Sequence, residues 1–169
     1  MPDNDDVSDD GTASPLALLD AVPESLLRRI KQYSGRLAKE AVHVMGERLA
    51  FFADLEASQR ASVQLVVQTA LVNFAEWMRD PRGDVGYTAE AFALVPQELT
   101  RRIALRQTVD MVRVTMEHFE DAVPMLGRNA DQRTALTIGI LRYSRNLAFA
   151  AASGYADAAE ARGAWDTRM

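Results

Sequence analysis

Glu40 and His43 stand three residues apart in a strongly helical stretch, the half-motif of the di-iron carboxylate bundles. That centre needs a second Glu-x-x-His, and the residue three before His118, the other histidine, is Thr115. Half the ligands are missing, so an exposed Glu beside a partly buried His43 is the preferred reading. His118, next to Phe119, would suit a haem ligand in globin-like packing. A lone histidine on an apolar helix is more often a hydrogen-bonded structural residue. No metal or cofactor is expected. Arg101, Arg102, Arg106 and Arg113, with Arg142 and Arg145 further on, carry the planar fork that holds phosphate oxygens bidentately. As surface ion pairs with Glu98, Asp110 and Glu117 they need no ligand, and that reading is favoured. Met45, Met78, Met111, Met116 and Met125, mixed with Phe51, Phe52, Phe74, Phe92, Phe119 and Phe149, make a soft interior. It could line a channel for a flexible acyl chain, running between the helix of Phe74 and Met78 and the helix of Met111, Met116 and Phe119. Plain core explains the same residues, and on sequence alone it is the better account. There is no Gly-rich phosphate loop, no HExxH and no nucleophile beside a base, so no enzyme is expected.

These residues must be positioned by helices, since no segment shows sustained period-two alternation. Ser14-Pro15 reads as an N-cap and first helical position, opening a short turn through Leu16, Leu18 and Leu19. Pro23-Glu24 starts a long helix whose apolar stripe runs Leu26, Ile30, Tyr33, Leu37, Ala41, Val44 and on to Phe52. Ser58 is expected to cap a second, carrying Val63, Val67, Ala70, Phe74 and Trp77. The run Asp80-Pro81-Arg82-Gly83-Asp84 ends it. Thr88 caps a shorter helix with Phe92 and Leu94 inward, and Pro96 kinks it or opens the next. A strict stripe follows: Leu105, Val109, Val112, Met116, Phe119, Val123 and Leu126, closed by Pro124 and Gly127. Asn129 and Gln132 resemble a capping box for the last helix. Its inward face is Leu136, Ile140, Tyr143, Leu147 and Ala150. A second stripe, Tyr155, Ala158, Ala159, Arg162, Trp165 and Met169, carries on beyond the packed part.

The fold class is therefore all-α: five to six helices in an antiparallel bundle or globin-like packing, with a long C-terminal helix leading out. Residues 1–14 are expected to be a disordered acidic tail, 15–152 a helical sensory domain and 153–169 an outgoing helix. Uncovered Tyr155, Trp165 and Met169 make that helix the expected interface of a homo-oligomer.

With 169 residues the chain is long enough for one well-buried domain. Five of its 24 acidic residues, Asp3, Asp5, Asp6, Asp9 and Asp10, lie in the first fourteen positions, which leaves acids and bases equal in the body. A neutral body without a basic tail argues against DNA binding by this segment, because neutralising phosphates needs clustered cations. The absence of cysteine excludes disulfides and thiolate sites and suits the cytoplasm. No apolar run approaches a membrane span, and the acidic N-terminus is unlike a signal peptide.

The closing stretch LRYSRNLAFAAASGYADAAEARGAWDTR, Leu141 to Arg168, resembles the junction after the N-terminal domain of actinobacterial PucR-type transcriptional regulators. The closest resemblance is to those governing fatty-acid and mycolic-acid biosynthesis. Their N-terminal domain is similar to the RsbR-type sensory family, which includes globin-like folds without haem. The resemblance implies an input domain, then a middle domain, then a helix-turn-helix domain that contacts DNA, of which this chain would hold only the first. It further implies a response to long-chain acyl-CoA, with no ligand residue carried over from the family; for such a ligand in the apolar channel, Arg101, Arg102 and Arg106 could hold the CoA phosphates at the mouth. The alternative is an assembly module of the stressosome-sensor type with no small ligand. Ser153-Gly154 departs from the family in placing poor helix formers where the outgoing helix should be continuous.

Overall fold

A computed structural model describes residues 14–81 and 101–167, apart from the side chains of residues 150, 151, 153–155 and 158. The described residues form six helices: α1 (Pro15–Asp20), α2 (Glu24–Arg48), α3 (Ala50–Ala53), α4 (Ala57–Trp77), α5 (Leu105–Leu126) and α6 (Ala130–Asp166). No strand occurs among them, and the fold is an all-α bundle. The expected helix with Thr88, Phe92, Leu94 and Pro96 lies outside the described residues.

Cross-helix contacts give the directions. Glu24 and Lys31 at the start of α2 pair with Arg79 and Glu76 at the end of α4, so the two run antiparallel. Arg29 reaches Leu126 while Arg48 reaches Glu117 (2.6 Å), which sets α5 antiparallel to α2. The Oγ of Ser144 donates to the Met116 sulfur at 3.0 Å and Arg133 Nε donates to the Gly127 carbonyl at 3.0 Å, so α6 returns antiparallel to α5. Helix α1 lies on α6. The core between them is apolar: Leu26, Ile30, Leu37, Phe52, Leu71 and Leu136 are at most 2% exposed. The buried hydroxyls of Ser34 and Thr115 are satisfied within their own helices, Ser34 on the Lys31 carbonyl and Thr115 on the Met111 carbonyl.

Local boundaries differ from the sequence reading in four places. The stripe expected to run unbroken to Phe52 breaks at Leu49, whose φ of −117° and ψ of 106° are extended, and α3 restarts the helix at a new angle. Glu56, not Ser58, precedes α4; its N–H donates to Gln59 Oε1 at 3.0 Å, satisfying a donor that the helix leaves open. Pro124 does not close α5 but sits inside it, where only one backbone bond is lost before the helix ends at Leu126. Finally, Leu105 and Val109, which open the expected stripe, are 46% and 47% exposed, while its later members Phe119, Val123 and Leu126 are buried, with Val114, Thr115 and Ala122 beside them. Other features follow the sequence. Asn129 caps α6 by accepting from the Gln132 N–H at 2.9 Å. Gly127 stands where a Cβ would meet the Arg133 backbone nitrogen at 2.9 Å, which allows the tight α5–α6 corner.

Arg29 fastens that corner to α2. Its Nη1 donates to the Leu126 carbonyl at 2.6 Å and to Gln132 Oε1 at 3.3 Å, satisfying one of the last carbonyls of α5. Charged hydrogen bonds of this half-buried kind contribute about 1.5–3 kcal/mol. Arg29→Ala should therefore lower the urea midpoint by a corresponding amount at unchanged slope, and a loss below about 0.5 kcal/mol would show the corner holds without it. The exposed pairs between α2 and α4 are each expected to matter far less.

Candidate functional site

Four helices surround a small apolar cavity. Ile30 and Leu37 come from α2, Leu71 and Phe74 from α4, Met116 and Phe119 from α5, and Leu136, Ile140, Tyr143 and Leu147 from α6. Each faces inward for the same reason: the apolar stripe of an amphipathic helix is buried against its neighbours. Phe74 anchors one side, packing edge-on to Tyr143 at 5.3 Å and stacking on Trp77 at 6.1 Å. Trp77 Nε1 is buried there without an acceptor among the described residues. The cavity holds about 50 Å³ and its accessible lining is apolar. Ligand pockets are commonly some 300–1,000 Å³, so nothing larger than a very small apolar molecule fits unless side chains move. Water has no polar partner there and is disfavoured.

Of the residues expected to form a channel, Phe74, Met116 and Phe119 line this cavity. Met78 is buried beside it, its sulfur against Gly139, and Met111 is half-buried at the edge of the core. Missing from the expectation were the walls supplied by α2 and α6. Their stripes were visible in the sequence, but nothing in a stripe says which helices share a cavity. Met125 and Phe149, expected inside, are 42% and 68% exposed. Arg101, Arg102 and Arg106 are exposed, none lines the cavity, and no carboxylate among the described residues pairs with them. Glu117, expected to pair with the α5 arginines, is held by Arg48. Trp165 is 76% exposed on α6, whereas the Tyr155 side chain and Met169 lie outside the described residues.

The chain's two histidines meet at a second place, an open groove between α2 and α5 lined by Arg36, Lys39, Glu40, His43, Val44 and His118. The His43 side chain, expected to be partly buried, is 76% exposed, and that of His118, on its apolar helix, is 18% exposed. His118 Nε2 lies 3.4 Å from Glu40 Oε2, an electrostatic contact poorly aligned for a hydrogen bond. Arg36, donating to Glu40 at 2.8 Å, holds that carboxyl below its usual range, and His118 adds a smaller pull in the same direction. His43 faces Glu47 at 3.3 Å. No three metal-ligating side chains converge among the described residues.

Helix α6 links cavity and surface. It runs 37 residues without a break, through Ser153-Gly154, and every described side chain from Ala148 to Thr167 is exposed. No helix among the described residues is long and apolar enough to cross a membrane. Together these features define an all-helical bundle built round a small apolar cavity, with one cavity-lining helix continuing into solvent. The chain is 78% identical over 156 residues to uncharacterized proteins of Mycobacterium bovis and of two Mycobacterium tuberculosis strains. The match covers 92% of this chain and 38% of each relative, so the chain spans well under half the length of the proteins it matches. No protein-family model matches it.

Proposed function

We propose that this chain is a non-catalytic, cytoplasmic ligand-sensing and oligomerisation domain of a PucR-type transcriptional regulator of fatty-acid and mycolic-acid biosynthesis, responding to long-chain acyl-CoA. The observation that carries the sensing part is α6: Leu136, Ile140, Tyr143 and Leu147 line the cavity, and the same helix continues unbroken to Asp166. Whatever repacks the cavity acts on the helix that leaves the bundle. The greater length of the relatives leaves room for the middle and DNA-binding domains this reading requires. The acyl-CoA part rests on the family resemblance of the closing stretch and on the soft Met78, Met116 and Phe119 wall, which can yield to a flexible tail.

An acyl chain entering here gains at most about 0.8 kcal/mol per buried methylene, or up to about fourfold in affinity for each. Calorimetry with CoA esters of about 8, 12, 16 and 20 carbons should show affinity climbing steeply with length. Arg102→Ala should weaken the esters while leaving free fatty acids unchanged, because it removes only a phosphate contact. Absence of binding at every length would overturn the ligand. The cavity of about 50 Å³ favours a second reading in that event, an assembly module that signals without a small molecule.

A further inference from the structure

Phe149 is 68% exposed, and nothing among the described residues covers it. On a helix of 3.6 residues per turn, Arg142, Arg145, Ala152, Ala156, Glu160 and Gly163 all fall within about 60° of it, one continuous face. All are half-buried or exposed. Trp165 projects about 160° away, on the far side. The face is graded: arginines at its start, one large aromatic, then small residues, then a glutamate and a glycine.

We infer that α6 pairs with α6 of a second copy, antiparallel, about a two-fold axis between residues 152 and 153. The inference rests on the oligomerisation part of the proposed function and specifies which face pairs and in which direction. Reversing the helix about that axis sets each residue against one of complementary kind. Phe149 meets Ala156 of the second copy, Arg145 meets Glu160, and the long Arg142 meets Gly163. A parallel pair would set Phe149 against Phe149, Arg145 against Arg145 and Glu160 against Glu160, bringing like charges together. Gly163 supports the arrangement independently. A Cβ there would touch nothing within 4 Å in this chain, so its own packing does not call for glycine in mid-helix. Alanines at 152 and 156 permit close approach of the two backbones. An isologous contact of this kind closes on itself and gives a two-fold pair.

The cysteine-free chain allows single spin labels at Asp157→Cys and Asp166→Cys, both beside the face but outside its matched pairs. In an antiparallel pair the axial separation of equivalent labels grows by about 3 Å per residue from the axis, reaching about 14 Å at 157 and about 40 Å at 166. A parallel pair gives nearly equal separations at both. Arg145→Glu alone and Glu160→Arg alone should each weaken self-association about five- to tenfold, since two opposite-charge contacts become repulsive. Mixed one to one, the two variants should recover it, because each contact again joins opposite charges. Equal distances at the two sites, or charge variants that associate normally, would overturn this pairing while leaving oligomerisation intact. A monomeric unmodified chain at tens of micromolar would overturn both.

Discussion

Phe119→Ala is expected to remove about 3–5 kcal/mol of folding stability. Phe119 is 8% exposed and forms one wall of a space that is already unfilled. Truncation therefore subtracts the transfer energy of a phenyl ring and joins its volume to an existing void, whose lining cannot collapse from four sides at once. Urea unfolding followed by far-UV circular dichroism measures the loss. Because the enlarged space stays apolar, saturating benzene should restore part of the stability of the variant and little of the parent's. A loss below about 1 kcal/mol would mean that the helices close over the gap.

Gly139→Leu should also destabilise the bundle, by less and for the opposite reason. Helix α6 approaches α4 so closely here that even a Cβ would meet the Met78 sulfur, with the Met78 Cε at 3.1 Å and Phe74 Cζ at 3.4 Å. Met78 is flexible but 1% exposed, so it can retreat only by disturbing the Phe74, Trp77 and Tyr143 cluster. Overpacking of this kind costs about 1–3 kcal/mol or more, set against about 1 kcal/mol gained in helix propensity. Met78→Ala should relieve much of it, and a double-mutant cycle should give a coupling above about 1 kcal/mol. Additive effects would show that the two positions do not compete for the same space.

Helix type and most termini could be read from the sequence because they rest on local rules. The Ser14-Pro15 start, the Asn129 cap and the stripes of α2, α4 and α6 all lie within a few residues of their cause. The break at Leu49 could not, since Leu49, Ala50 and Phe51 continue the apolar run across it and the nearest glycine, Gly46, lies inside α2. The stripe of α5 holds from Met116 to Leu126, but Leu105 and Val109 extend the same apolar period into turns that face solvent. Periodicity measures repetition, not what covers the repeated face. For the site, residues of all four walls lay on recognised stripes, but their meeting is a property of antiparallel α2, α4, α5 and α6 taken together. The contact of His118 with Glu40 crosses 78 positions of sequence and carries no local signal.

The unbroken course of α6 also makes it a lever. Its last packed residue, Leu147, acts as the fulcrum, and the arm from there to Asp166 is about 29 Å long. Tilting the short, cavity-lining end by about 10° sweeps the far end through about 5 Å, at 1.5 Å of arm per residue. A displacement inside the bundle no larger than a methyl group thus arrives at Trp165 as a movement the breadth of a side chain.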